Sequence, residues 1–224
     1  MENLIPDRPF DLTVELARLR HLRDDVIPPD VAAHMDKATT ALIESNAADR
    51  AVDAGSSAPD FTLPNALGDD ISLNRLLNEG PVVLSFYRGV WCPFCNLELR
   101  ALEQAVPDIT ALGARLVAVS GQTPDNSLSM MEKNGLTYDV LSDVGLTVAK
   151  SYGLVFELPD YLQTDYRALG HPIPRFNGTD QQTLPIPGTF VIDPTGIIRY
   201  AYVNPNYMYR ADPTAIVAAL RTLA

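Results

Sequence analysis

Hydrophobic positions follow two rhythms along this chain. Up to about residue 44 they recur at helical intervals. Leu12, Leu16, Leu19, Leu22 and Val26 are four, three, three and four residues apart, and Val31, Met35, Ala38 and Leu42 repeat the stripe after Pro28-Pro29. Such spacing gathers one apolar face on a 3.6-residue helix, so two amphipathic helices are predicted, with Asp30 placed to favour the start of the second. The small, polar stretch 53–60 reads as a linker. Beyond it, short apolar runs alternate with helical stripes. The runs at 82–87 and 115–120 suit buried strands, and a shorter one lies near 139–141. Residues 189–193 and 197–203 form a predicted hairpin across Asp193-Pro194-Thr195-Gly196. Helices are expected over 93–106, about 125–133, about 144–152 and 214–223.

Strands that alternate with helices and close on a hairpin and a helix predict an α/β fold with a mixed central sheet. The chain divides near residue 55, giving an N-terminal helical extension over 1–54 and an α/β domain over 55–224. The proline- and polar-rich residues 158–186 are expected to lie over the sheet as an insertion. At 224 residues and 46% hydrophobic, the chain can bury a full core without staples. Seventeen basic against 28 acidic residues leave a net charge of −11, which repels phosphate backbones and anionic lipid heads. No nucleic-acid or membrane partner is therefore expected. The opening segment 1–8 carries two acids and a proline where a signal peptide would be basic and then apolar. No apolar run approaches the roughly 18 residues that span a bilayer. The expectation is a soluble, cytoplasmic protein.

The two cysteines sharpen the picture, because they are the whole complement and sit three residues apart, at Cys92 and Cys95. Phe86 to Cys95 begins on a predicted strand and ends inside a predicted helix. That places Cys92 at a helix N-terminus, where unpaired N–H groups and the dipole favour an anion. A contribution of up to about 2 kcal/mol would bring a thiol from about 8.5 to about 7. Pro93 suits the first helical position, where its missing N–H costs nothing. Cys95 shares a stripe with Leu99, Leu102 and Val106, so it should face the core while Cys92 faces solvent. An exposed nucleophile backed by a buried resolving thiol, joined by an easily reduced short-loop disulfide, is what a catalytic dithiol requires. The alternatives are half of a zinc site and a plain structural pair. His21, His34 and His171 are scattered and form no paired ligand motif, so no metal is expected.

Trp91-Cys92-Pro93-Phe94-Cys95, with Ala58-Pro59-Asp60-Phe61 upstream and Gly188-Thr189-Phe190-Val191-Ile192-Asp193 downstream, resembles the thioredoxin superfamily. More narrowly, it resembles the peroxiredoxin-like branch of the alkyl hydroperoxide reductase and thiol-specific antioxidant family. The resemblance covers about residues 55–222. It implies a thioredoxin-like fold, Cys92 as the attacking thiol, and regeneration by a thioredoxin-like dithiol. No cofactor is implied.

Two positions depart from that pattern. Peroxiredoxins carry Thr or Ser three residues before the attacking cysteine and Arg two residues before the late Thr-Phe pair; here these are Gly89 and Pro187. Pro187 either matches the cis-proline that lies beside the thiols of thioredoxins and positions substrate, or is an ordinary proline at a strand entry; the sequence itself does not show a cis bond. Arg88 is the nearest cation, either steadying the thiolate and replacing the lost arginine or lying in solvent. Trp91 is either an apolar rim for substrate or packing against the next helix. Gln122 and Thr123 follow the second buried strand and are candidate hydrogen-bond donors. The buried acid of many thioredoxins would fall near Ser85 or Phe86 and is absent there. Tyr200, Tyr202, Tyr207 and Tyr209 read as an edge-strand face or a subunit contact. The leading expectation is a peroxidase acting on hydrogen peroxide or organic hydroperoxides. A dithiol–disulfide oxidoreductase acting on disulfides is the second, and a redox-sensing interaction module the third. The helical stripes of the extension need covering, by the domain or by a second copy in a homodimer.

Overall fold

In the computed structural model, which describes residues 9–223, the two opening stripes become α1 (Leu12–Val26) and α2 (Pro29–Glu44), followed by a 3-10 turn at Ala47–Arg50. The segment 1–8, with its acids and proline, lies outside the described residues, as does Ala224. A short antiparallel ribbon, β1 (Thr62–Pro64) and β2 (Asp70–Ser72), leads into α3 (Leu73–Leu77). Then come β3 (Val82–Phe86), α4 (Pro93–Ala111), β4 (Arg115–Ser120), α5 (Pro124–Asn134), β5 (Asp139–Ser142) and α6 (Thr147–Ser151). The region that reads as proline-rich and polar holds α7 (Asp160–Ala168), α8 (Ile173–Asn177) and β7 (Thr183–Pro185), the last pairing with β6 (Val155–Glu157). The chain closes through β8 (Gly188–Ile192), β9 (Ile198–Val203) and α9 (Pro213–Arg221).

Five strands form one mixed sheet in the order β5–β4–β3–β8–β9. β3 pairs in parallel with β4 and antiparallel with β8, and β9 is an edge. A strand buried on both faces reads as a continuous apolar run, and Val-Val-Leu-Ser-Phe of β3 is buried throughout. Its side chains alternate between two cores. Val83 and Tyr87 face a core shared with α1, α4 and α9; Val82, Leu84 and Phe86 face one shared with α3 and α6. The hairpin turns on Asp193, whose carboxylate accepts from the Thr195 and Ile197 backbone N–H groups and pairs with Arg199.

Helix α4 runs to Ala111 although the stripe predicts a stop near Val106. Pro107 lies inside it and removes one backbone donor, but fully buried Ile109 holds the last turn in the core. α1 docks on the domain through Leu12, Leu16 and Leu19, which belong to the α4 core. α2 does otherwise: Val31 and Met35 join Leu158, Leu162, Tyr166, Ile173 and Leu184 in a small third core of their own. The extension and residues 158–184 thus pack on each other, above the end of β3 where the cysteines lie.

Leu16 is 4% exposed and buried against α4. Leu16→Ala should therefore lower the unfolding free energy of the whole chain by about 2–5 kcal/mol, read by urea denaturation with Trp91 fluorescence. An unchanged midpoint would show that α1 is not part of the cooperative core.

Candidate active site

β3 delivers the chain into a tight loop, and hydrogen bonds from three sides fix that loop. Tyr87 N–H donates to Val119 O at 3.0 Å, and Val90 N–H donates to Gln122 Oε1 at 2.7 Å. Asn96, on the first turn of α4, donates from one Nδ2 to both Val90 O at 2.9 Å and Cys92 O at 2.8 Å. Asn134 of α5 holds Asn96 in turn, Nδ2 to Oδ1 at 2.8 Å. Cys92 is the N-cap of α4 with Pro93 in the first turn, and its carbonyl accepts from Cys95 and Asn96 N–H. Gly89 makes the close turn possible. Its φ is +155°, and a Cβ there would stand 2.5 Å from Trp91 Nε1.

Both thiols are buried. Cys95 faces the core, in agreement with its stripe, but Cys92 is 1% exposed where solvent exposure is the sequence expectation. The sequence shows which face of α4 is apolar; it does not show that α1, α2, α7 and Tyr207 close over the opposite side. An apolar cavity of about 60 Å³ lies directly over Cys92, walled by Leu19, Leu22, Met35, Phe94, Trp91 and Tyr166 among others. At roughly 10–15 Å³ for one water, it has room for about four to six water-sized groups.

Two guanidinium groups serve this apolar site. Arg88 is buried, donates from Nη2 to Tyr166 Oη at 2.5 Å, and lies 4.3 Å from the ring centre of Tyr207 and 5.0 Å from that of Trp91. Its Nε is buried with no hydrogen-bond partner. Arg210, between β9 and α9, donates from Nη2 to Cys95 Sγ at 3.1 Å and from Nε to Glu98 Oε2 at 2.6 Å. Its Nη1 is tied to Tyr209 O at 2.7 Å and to Tyr207 O.

These surroundings split the two thiols. Burial pushes Cys92 up, but the Cys95 hydrogen bond and the charges of Arg88 and Arg210 outweigh it and bring Cys92 down to about 6. Burial, the hydrogen bond it gives to Cys92 and the charge on that sulfur all raise Cys95 well above the ordinary thiol range. Cys92 is the anion and Cys95 the thiol that donates to it. Glu98 is pushed up to about 7 by burial, against the pull of Arg210.

Residues 54–201 match the AhpC/TSA family. The chain belongs to the AhpC/TSA family. Among curated relatives, it is 27% identical to the chloroplastic peroxiredoxin Q of Sedum lineare over 168 residues, 75% of this chain and 78% of that protein. It is 31% identical to the thiol-disulfide oxidoreductase ResA of Halalkalibacterium halodurans over 102 residues, 45% of this chain and 57% of that one. Among solved structures, peroxidoxin BcpB from Mycobacterium tuberculosis superposes with a TM-score of 0.63 at 25% identity, over 77% of this chain and 99% of that one. Peroxiredoxin Q of Xanthomonas campestris superposes at 0.59 and 20% identity, over 76% and 98%. The sheet and its flanking helices are a peroxiredoxin-type thioredoxin-like fold.

Within that family pattern, the two departures take physical form. At the Thr/Ser position the Trp91 indole occupies the space next to Gly89, so no side chain fits. Pro187 is buried, and no peptide bond among the described residues is cis, contrary to the thioredoxin-like expectation. It lines a small neighbouring cavity with Arg88, Tyr166 and Tyr207 and is not among the residues around the pocket over Cys92. The hydrogen bond from Asn204 N–H to Pro187 O accompanies β8–β9 pairing.

Of the remaining candidates, Arg88 and Trp91 converge on Cys92. Trp91 stacks on His171 at 5.9 Å and lines the pocket, facing the segment before α8 as well as Tyr166. Gln122 supports the loop from below through Val90. Thr123 does not reach the thiols: it caps α5, accepts from Asn126 Nδ2 and bonds Phe176 O through its N–H. Tyr200 and Tyr202 lie half-buried on edge strand β9, while Tyr207 turns inward onto Arg88. No cluster of metal ligands occurs among the described residues. Sequence reasoning missed Glu98 and Arg210. Glu98 carried a signal, as an acid three residues after Cys95 beside the apolar stripe; Arg210 carried none.

Gly89→Ala tests the loop. Strain at this φ and the clash with the indole should cost about 1–3 kcal/mol and shift the emission of Trp91, the chain's one tryptophan. Unchanged emission and unchanged stability would contradict the close approach.

Proposed function

We propose that this member of the AhpC/TSA family is a thiol-dependent peroxidase working through a Cys92/Cys95 cycle. The observation that carries the reading is the placing of two buried sulfurs, one turn apart, beside two buried guanidinium groups, one donating to Cys95 Sγ at 3.1 Å and the other with an unpartnered Nε, surroundings that draw Cys92 down and push Cys95 up. The Cys92 thiolate attacks the terminal oxygen of a hydroperoxide. The O–O bond breaks, the leaving oxygen takes a proton as alcohol or water, and Cys92 becomes sulfenic acid. Arg88 stands where charge develops, and its unpartnered Nε is a donor free for a peroxide oxygen. Cys95 then displaces hydroxide from the Cys92 sulfur, and the resulting disulfide is reduced by a thioredoxin-like dithiol. A reducing cytoplasm is the natural setting for two cysteines committed to one redox site.

Disulfide exchange is the second reading, favoured by the stretch similar to ResA and by Gly89. Burial decides between them. A peroxide group fits a cavity of about 60 Å³, whereas a protein disulfide meets α1, α2 and α7 before it meets Cys92. The peroxide reaction therefore comes first, and the covering helices must shift for the reductant.

Single-turnover stopped flow with hydrogen peroxide and with an organic hydroperoxide, read by Trp91 fluorescence, tests this. Cys92→Ser should abolish the signal, and Cys95→Ser should halt at sulfenic acid, trapped by dimedone. Arg88→Ala should slow the peroxide step by about 10²–10³-fold. Because the anion reacts, this step should fall as pH drops through about 6, where Cys92 takes up its proton. A wild-type rate no faster than a free thiol would remove the peroxidase reading.

A further inference from the structure

Resolution of the sulfenic acid poses a problem that the two cysteines do not solve. The attacking atom is Cys95 Sγ, which holds its proton tightly and has no contact with solvent. That proton needs a destination before the S–S bond can form. The acid that shares a hydrogen-bond donor with Cys95 is Glu98, 1% exposed on the next turn of α4 and oriented by Arg210.

Arg210 presents its Nε–Nη2 edge to both groups at once. Glu98 Oε2 sits on Nε at 2.6 Å and Cys95 Sγ on Nη2 at 3.1 Å. The two acceptors are therefore neighbours along one side of one planar group. The other nitrogen is held by the Tyr207 and Tyr209 carbonyls, so the edge cannot turn away. One cation thus faces two acids that share one proton. Whether the proton is on sulfur or on carboxylate, the buried charge around Arg210 is the same, so a transfer between them avoids the cost of creating a new buried ion.

The geometry points to Glu98 as the proton acceptor for Cys95, with Arg210 as the positioning residue that aligns the pair. As Cys95 sulfur attacks the sulfur of Cys92–S–OH, its proton passes to the Glu98 carboxylate. The S–O bond breaks, hydroxide leaves and becomes water on gaining a proton, and the disulfide forms. Glu98 hands that proton on to the departing hydroxide, so water leaves and the carboxylate is restored. In the reductive half, a thiol of the reductant attacks the Cys92 sulfur, the S–S bond breaks, and the proton that thiol gives up reaches the departing Cys95 thiolate through Glu98. The charged and titratable groups facing this pair are Cys92 and Arg88 from the loop, Tyr138 before β5, Tyr87 at the end of β3 and Tyr166 of α7. Thr189 of β8 also hydrogen-bonds Glu98.

This inference rests on the peroxidase cycle, and its test separates the two. In stopped flow, the peroxide-dependent first phase reports Cys92 and the peroxide-independent second phase reports Cys95. Glu98→Gln should slow the second phase by about 10²-fold or more. In the wild type that phase should rise with pH through about 7, as Glu98 loses its proton. Glu98→Asp should restore part of the rate, which a merely structural role would not explain. A second phase within twofold of wild type in Glu98→Gln, or a wild-type second phase flat across that pH range, overturns the inference. If the wild type shows no first phase, the peroxidase reading fails instead. The Glu98 step is then read by loading Cys92 as a mixed disulfide with 5,5′-dithiobis(2-nitrobenzoate) and following release of the second thionitrobenzoate by Cys95. Should Glu98→Gln not fold, the wild-type pH profile and Glu98→Asp decide alone.

Discussion

Everything in this molecule is arranged around the cost of keeping a sulfur anion out of water. An unpaired buried ion is expensive, and the usual escape is to take up a proton. Here the escape is blocked by balance. Two buried cations, Arg88 and Arg210, face two groups able to carry negative charge, Cys92 and Glu98, with Cys95 donating to Cys92 and accepting from Arg210. Removing either cation leaves an uncompensated buried charge. Removing Cys95 takes away the hydrogen bond that selects which sulfur is ionised. The dipole of α4 adds to this, but it acts on a residue whose burial alone would drive it the other way.

Part of the cover over Cys92 comes from a stretch of the chain that the family match does not reach. The match begins at residue 54, whereas Leu19, Leu22 and Met35 of the opening helices wall the cavity over Cys92. They are joined there by α7, through Tyr166, whose hydroxyl fixes Arg88. Water exclusion strengthens each electrostatic contact with the sulfur and shields a sulfenic acid from side reactions. It also restricts entry to small substrates and makes reduction by a protein depend on movement of the cover. The same helices therefore sharpen the chemistry and limit its partners.

How far the sequence could be read depends on the range of each interaction. β3, β4 and the β8–β9 hairpin were legible because burial on both faces and the Asp193 turn are local patterns. Cys95 was legible because it shares a stripe with Leu99 and Leu102. Cys92 was misjudged because its cover comes from α1, α2 and α7, whose docking sites no local pattern records. Glu98 was within reach of the same helical periodicity that placed Cys95. Arg210 was not, since its contact with Cys95 spans 115 residues and its neighbours Tyr207 and Tyr209 read as an aromatic edge. The proline at 187 shows the converse error: a position matched to thioredoxins by sequence carries a trans bond and stands at a different wall.

The most direct test of a buried Cys92 thiolate is the pH dependence of the ¹³Cβ shifts of both cysteines in the reduced, full-length protein. The balance described above requires residue 92 to titrate first, with its midpoint near about 6, while Cys95 stays protonated well beyond that pH. Titration of Cys92 at or above the ordinary thiol value of about 8.5, or after Cys95, would contradict it.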